Sequence, residues 1–164
     1  MRVVVADTGP LRYLLAIGHI DIPPQLFETI SIPTTVHDEL RHPSAPALVR
    51  HWATTPPPWL EVLPVAPTDD PALQILDPGE RAAVTLGLSL HADLILMDDR
   101  KGVTVATQKG FEVIGTLGVL VRASRLGMLD FPAALARLKE TNFHYRQKLI
   151  DDLLTKHKDC KSES

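Results

Sequence analysis

Acidic side chains follow two of the short apolar runs that the sequence predicts as strands. Asp7 comes directly after the run 2–6. Asp98 and Asp99 come directly after the run 92–97. In open α/β sheets, ligands bind outside the carboxyl ends of parallel strands. The placement of these residues therefore predicts carboxylates at the edge of a sheet where a functional site is expected.

Two glutamates follow predicted strands at a greater distance. Glu39 lies on the helix after the strand 29–32, so it begins near the same edge of the sheet. Glu80 stands in the first turn of a helix that leads back to the strand before Asp98, which places it near one end of the sheet. The sequence alone does not decide which end this is.

Each carboxylate also has a structural alternative. Asp77 and Glu80 have the spacing of a capping box, in which both side chains satisfy helix N–H groups. Asp7 could hydrogen-bond the start of the next helix, and one member of the 98–99 pair could cap the helix after it. Glu39 could be a solvated helix residue. These alternatives stay open at the level of the sequence.

Clustered carboxylates suggest metal-assisted hydrolysis. Several carboxylates held close together repel one another, and some would take up protons unless a cation is present. Oxygen ligands suit Mg²⁺ or Mn²⁺. Two such ions roughly 3.5–4 Å apart activate a water and stabilise the leaving oxygen of a phosphodiester. We find no convincing nucleophilic triad, and this chemistry needs none.

The elements that must position these residues alternate between strands and helices. The predicted strands are 2–6, 29–32, 60–63, 92–97 and 111–114. The predicted helices run from a cap at Thr8 to Gly18, over 24–28, from a cap at 34 or 35, and over 45–52, 77–90, 101–109, 116–125, 132–140 and 145–156. The proline-rich stretch 54–71 is predicted as a surface loop around the third strand. This alternation predicts an α/β fold in which helices cover both faces of a parallel sheet, as in a Rossmann-like sandwich.

The length of 164 residues fits a single domain, which we place at 1–156 with a flexible tail at 157–164. The net charge of −3 means that any nucleic acid must be held by a local basic patch or through metal ions. One candidate basic face comprises Arg122, Arg125, Arg137, Arg146 and Lys148, although such charges are more often a solvated surface. The single cysteine excludes a disulfide framework within the chain. The apolar start is too short for a signal peptide or a membrane span, so we expect a cytoplasmic protein without membrane contact.

Four segments in a fixed order resemble the PIN-domain superfamily, and in particular its VapC-like branch. They are Asp7-Thr8-Gly9 after a strand, Val36-His37-Asp38-Glu39-Leu40, Gly79-Glu80-Arg81-Ala82-Ala83 and Leu96-Met97-Asp98-Asp99-Arg100. The later run Gly115-Thr116-Leu117-Gly118 also fits that branch. The resemblance covers roughly residues 2–155, and it rests on the ordered set since no single motif is specific.

The resemblance implies a PIN-like nuclease fold that cleaves RNA with Mg²⁺ or Mn²⁺. Many members of the superfamily are toxins of toxin–antitoxin pairs and form homodimers, which implies an antitoxin and a second copy as partners. By this resemblance the catalytic residues would be Asp7, Glu39, Glu80 and Asp99; the metal ligands would be the same four with Asp98; and the supporting residues would be Thr8, Arg100 and Thr116. Asp98 stands where many relatives have a polar, non-acidic residue, and Gly9 where many have Ser.

The leading hypothesis is therefore a metal-dependent endoribonuclease, the toxin of a toxin–antitoxin pair. The alternative is a non-catalytic PIN-like module that binds nucleic acid or regulates, motivated by the modest charge and by Gly9 and Asp98. A phosphatase that forms an aspartyl-phosphate at Asp7 ranks third, because the second Asp of that motif is missing at position 9.

Overall fold

The computed structural model describes residues 2–162, and its strands form one parallel sheet. The strands are β1 Val4–Ala6, β2 Ile30–Pro33, β3 Leu60–Leu63, β4 Leu94–Leu96 and β5 Glu112–Ile114. Their spatial order is β3-β2-β1-β4-β5, and every neighbouring pair is parallel. All five strands coincide with predicted apolar runs, including β3 inside the proline-rich stretch.

Helices occupy both faces of the sheet. They are α1 Thr8–Ala16, α2 Ile22–Phe27, α3 Thr34–Leu40, α4 Ala47–Thr54, α5 Pro71–Gln74, α6 Pro78–Leu90, α7 Arg100–Gln108, α8 Thr116–Arg125, α9 Phe131–Lys139 and α10 Gln147–Ser162. Successive strand residues point to opposite faces. Accordingly, Val4 and Ala6 belong to one buried apolar cluster and Val5 to another. The predicted α/β class with a doubly covered parallel sheet is confirmed.

The centre of the sheet is the place where the strand order reverses. The chain leaves β1 towards β2 on one side, while β4 pairs with β1 on the other side. In such sheets the binding crevice lies beyond the carboxyl ends of the strands at this reversal. Asp7 follows β1, and its N–H donates to the Leu96 carbonyl of β4 at 2.9 Å. The reversal therefore lies between the strands that lead to Asp7 and Asp98.

Several local predictions differ from the structure. The short helix α5 was not expected; it begins at Pro71, and the Asp70 side chain caps it by accepting from the Ala72 N–H at 3.0 Å. Thr8 is not a cap but the first residue of α1, which begins after Asp7. The Asp77 side chain makes no capping hydrogen bond to α6, so only half of the predicted capping box forms: the Glu80 carboxylate accepts from the Asp77 backbone N–H.

The C-terminal helix α10 extends beyond its predicted end at Lys156. Part of the predicted flexible tail at 157–164 belongs to this helix, and the rest lies outside the described residues. The side chain of Cys160 also lies outside the described part of the chain. Within the stretch 2–162, none of the helices combines the length and apolar composition needed to cross a bilayer.

Candidate active site

The five acidic residues singled out in the sequence line one cleft at the carboxyl edge of the sheet. The cleft has a volume of about 950 Å³. The acidic residues in its lining are Asp7, Glu39, Asp77, Glu80, Asp98 and Asp99. They come from the ends of β1 and β4 and from the helices α3 and α6. The structure thus brings together the carboxylates whose proximity the sequence left undecided.

Asp7 is the most constrained of these carboxylates. Only 7% of its surface is exposed. Burial, together with the charges of Glu39, Asp98 and Asp99, raises the pKa of Asp7 to about 7 against the opposing effect of one backbone hydrogen bond from Thr8. Asp7 therefore exchanges its proton near neutral pH instead of staying ionised throughout.

Glu80 shows the same behaviour from the first turn of α6. It is 8% exposed, and burial raises its pKa to about 7. The charges of Asp99, Asp7 and Asp77 act in the same direction. Because the charge of Asp7 is among those that raise the pKa of Glu80, the two carboxyls are electrostatically linked.

Glu39 is held by α1 and α6. The Thr8 hydroxyl donates to the Glu39 carboxylate, which ties α3 to the start of α1. On the other side, a Cβ at Gly79 would lie 2.5 Å from both carboxylate oxygens of Glu39. The absence of a side chain at position 79 therefore lets the Glu39 carboxylate lie directly against α6.

Asp98 is bound at both oxygens by Thr116. The Thr116 N–H donates to Oδ1 at 2.7 Å, and the Thr116 hydroxyl donates to Oδ2 at 2.6 Å. Thr116 is fully buried, and Gly115 leaves no side chain between the two residues. Burial raises the pKa of Asp98 and the two hydrogen bonds lower it. Asp98 thus joins the end of β4 to the start of α8.

Asp99 caps α7, as expected of one member of the acidic pair. Its Oδ1 accepts from the N–H groups of Lys101 and Gly102 at 3.0 and 3.3 Å. Its charge also acts on Asp7 and Glu80, so capping and membership of the cluster coexist. Arg100 follows it as the first residue of α7, exposed at the edge of the cleft.

The sequence analysis missed the aromatic residues of the cleft. Tyr13, Phe143 and Tyr145 line it together with Arg12 and His144. The alternation of aromatic and basic residues over 143–146 was the available signal. Of the proposed basic face, Arg146 lines the cleft, whereas Arg122 pairs with Glu112 at 2.8 Å and Arg137 donates to the Ile17 carbonyl at 3.0 Å.

The donor set suits a hard divalent cation. Asp7, Glu80, Glu39 and Asp99 offer carboxylate oxygens, which Mg²⁺ and Mn²⁺ prefer. Over residues 2–162, no three His, Cys, Asp or Glu side chains already lie close enough together to hold a metal. Mg²⁺ keeps several waters and is bound by one or two carboxylates, so it does not need such a closed site. The two raised pKa values indicate where a positive charge would be most favourable.

Comparison with known proteins adds the family. A family model described as a PIN domain matches residues 3–159. This span contains all five strands and every acidic residue of the cleft. A search of curated proteins finds no match.

Proposed function

The chain belongs to the PIN-domain family, and on this premise we propose that it is a metal-dependent endoribonuclease that cleaves RNA phosphodiesters. PIN domains are generally nucleases and typically use divalent metals. The observation that carries the proposal is the pair Asp7 and Glu80. Both are buried in an open cleft, and burial together with neighbouring carboxylates raises the pKa of each to about 7. A cation between such groups would remove the cost of their ionisation.

The residues of the cleft have separate parts in this proposal. Asp7, Glu80 and Asp99 would hold a Mg²⁺ or Mn²⁺ ion, with Glu39 as the fourth carboxylate. When bound, such an ion would supply a water activated at neutral pH and charge stabilisation at the phosphodiester. Asp7 and Glu80 must release their protons before they bind it, since a protonated carboxyl is a poor ligand.

The remaining polar residues position the cluster. Thr8 orients the Glu39 carboxylate through the hydroxyl hydrogen bond. Thr116 orients Asp98, whose two oxygens accept from it, so Asp98 supports the neighbouring Asp99. Arg100 places a positive charge at the edge of the cleft, where it can contact a phosphate of the substrate.

The proposal extends to the biological setting through the resemblance to the VapC-like branch. It describes a cytoplasmic toxin of a toxin–antitoxin pair that acts as a homodimer and is restrained by an antitoxin protein. Expression of the wild-type chain should arrest growth of a bacterial host, whereas Asp7→Asn should not. Equal growth with both chains would contradict this part alone.

A cleavage assay tests the enzymatic part. Purified protein should cleave single-stranded RNA with Mg²⁺ or Mn²⁺, and Asp7→Asn or Asp99→Asn should reduce the rate at least about 100-fold. Loss of a residue that only supports a metal ligand typically costs 10–100-fold, so loss of a ligand should reach the upper end. Asp38→Asn removes an exposed charge next to Glu39, outside the cleft, and serves as the control. Cleavage that survives both cleft variants, or excess chelator, would refute the proposal.

A second function, a non-catalytic nucleic-acid-binding or regulatory module, has one observation in its favour. Glu39, Asp98 and Asp99 already accept hydrogen bonds from the protein. Asp7 and Glu80, whose pKa values are raised to about 7 although each accepts one backbone hydrogen bond, could then stay protonated without any ion. Calorimetric titration with Mn²⁺ near neutral pH separates the two functions, because absence of binding would favour the non-catalytic module.

A further inference from the structure

A short segment at the end of the chain borders the acidic cleft. Residues 143–146, Phe-His-Tyr-Arg, connect α9 to α10, and all four line the same cleft as Asp7 and Asp99. We call them the 143–146 segment. It contributes aromatic and basic side chains to a site whose other main components are carboxylates. The proposed cleavage of RNA does not use these four residues.

The segment is held in place by α1. The Phe143 ring meets the Tyr13 ring edge to face, with centroids 5.0 Å apart and an angle of 82°. The Tyr13 hydroxyl donates to Asn142 Oδ1 at 3.0 Å, just before the segment. The Phe143 N–H donates to Thr141 Oγ1 at 3.2 Å. These contacts fix the first residue of the segment beside the cleft.

The later residues of the segment are free to contact a ligand. Tyr145 is 38% exposed although its side chain is large and aromatic. The Lys139 ammonium lies 6.0 Å from the centroid of the Tyr145 ring and covers the ring only in part. An exposed aromatic ring beside a charged cleft can stack on a base, and such stacking is sequence-tolerant.

Three arginines line the acidic cleft without joining its carboxylates. They are Arg12, Arg100 and Arg146. Among the side chains described over residues 2–158, ion pairs use Arg2, Arg41, Lys109 and Arg122, and none involves the three cleft arginines. Because guanidinium groups bind phosphate oxygens in a planar, bidentate manner, these three are available to the backbone of a nucleic acid.

Taken together, and resting on the proposed nuclease function, these contacts lead us to infer that the 143–146 segment binds the single-stranded RNA substrate. Tyr145 stacks on an unpaired base, while Arg146 and Arg12 contact the flanking phosphates. A duplex hides its base faces, so a site that relies on stacking selects single strands, loops and ends. This explains how a chain of net charge −3 holds a polyanion.

A binding measurement tests the inference without any cleavage. Asp7→Asn protein is titrated against a labelled single-stranded RNA of roughly 10 nucleotides, followed by fluorescence anisotropy. In that background Tyr145→Ala should raise the Kd about 10-fold, which is about 1.4 kcal/mol, whereas Tyr145→Phe should keep most of the affinity. Arg146→Ala should weaken binding and lower the salt dependence of log Kd by about 0.7. Arg50→Ala removes an exposed arginine from α4, outside the cleft lining, and should change neither quantity.

The outcomes separate this inference from the nuclease proposal. Affinity unchanged by Tyr145→Ala and Arg146→Ala, or equal affinity for a duplex of the same sequence, would overturn the inference. Absence of any RNA binding would also overturn it and would point to a protein ligand for the segment. Tyr145-dependent binding by a chain that never cleaves RNA with Mn²⁺ would leave the inference standing and refute the nuclease. Both residues are exposed, so their variants should fold, which circular dichroism checks.

Discussion

Asp98 differs from the pair Asp7 and Glu80, although all three are carboxyls at one edge of the sheet. Asp98 receives an N–H and a hydroxyl from Thr116, one on each oxygen. Asp7 receives a single backbone hydrogen bond and has three like charges around it. Burial raises the pKa of the carboxyl in both places, and the two hydrogen bonds from Thr116 offset part of that cost at Asp98. The better-compensated carboxyl stabilises the fold, and the less compensated ones are available for a cation.

The comparison predicts that the two kinds of carboxyl have opposite effects on the free energy of unfolding. The hydrogen bonds of Asp98 join β4 to α8 and should make the folded protein more stable. The ionised forms of Asp7 and Glu80 should make the metal-free protein less stable. Substitutions that remove one carboxyl at a time therefore have opposite expected effects on unfolding.

The largest effect is expected from Asp98→Ala. This change leaves the N–H and hydroxyl of the fully buried Thr116 without their acceptor. Each unsatisfied buried polar group costs about 1–3 kcal/mol, so the free energy of unfolding should fall by about 3 kcal/mol. Urea denaturation measures it. A loss below about 1 kcal/mol would mean that the two hydrogen bonds do not stabilise the fold and would remove the contrast with Asp7.

Asp7→Asn should have the opposite sign in metal-free protein. The folded pKa of about 7 lies above the usual Asp pKa of 3.8, so between these pH values the folded state binds more protons than the unfolded state. The stability of the wild type should therefore fall as the pH rises from about 4 to 7, and Asn lacks this loss. Each pKa unit corresponds to about 1.4 kcal/mol, and the Asn amide must still be buried, so we expect a gain of about 2 kcal/mol at pH 8.

Urea denaturation of wild type and Asp7→Asn at pH 8 and pH 4, both with chelator, measures this difference. The gain should vanish at pH 4, where Asp7 is protonated in the folded state. A variant that is less stable than wild type at pH 8 would show that the Asp7 charge is compensated by contacts like those of Asp98.

Mn²⁺ binding should become tighter with rising pH. The ion competes with the protons on Asp7 and Glu80, both with pKa values of about 7. Displacement of one proton from a group with a pKa of about 7 makes the apparent affinity rise about 5-fold between pH 6 and pH 7, or about 1 kcal/mol. Titration calorimetry in two buffers of different ionisation enthalpy counts the protons released. Binding that is independent of pH over this range would place the ion on carboxylates outside the Asp7–Glu80 pair.

The parts of the fold and the site that could be predicted from the sequence depend on residues that are close together in the chain. Asp7 and Asp99 follow apolar runs directly, and a strand-end position can be read from the neighbouring residues alone. The same holds for Asp99 as a helix cap, because its partners are two and three residues away. The missed cap at Asp70 shows a limit of this approach, since the proline-rich composition around it favoured a loop.

Contacts between distant elements could not be read in this way. The Thr8–Glu39 hydrogen bond depends on the packing of α1 against α3, and the space at Gly79 depends on α3 against α6. The contact between Tyr13 and Phe143 joins residues near opposite ends of the chain. Glu80 fits a capping box by spacing and accepts from the Asp77 N–H, yet the Asp77 side chain makes no capping bond and Glu80 also lines the cleft. In each case tertiary packing decided a role that spacing left open.

The smallest effect is expected from Gly79→Ala, which tests whether Glu39 belongs with the compensated or the uncompensated carboxyls. The added Cβ would lie 2.5 Å from both carboxylate oxygens, so the end of this flexible side chain must move. Moving it costs little stability, and Ala is favoured over Gly in a helix by up to about 1 kcal/mol, so unfolding should change by less than that. If Glu39 contributes to binding of the ion, Mn²⁺ affinity should still fall several-fold, up to about 10-fold.

The control is Gly87→Ala on the same helix. Its added Cβ would lie 3.0 Å from Ile95 and 3.2 Å from Phe111, so this change should lower stability without changing Mn²⁺ affinity. Equal Mn²⁺ affinity in Gly79→Ala and wild type would show that Glu39, like Asp98, is bound by a hydroxyl of the protein and does not contribute to the ion.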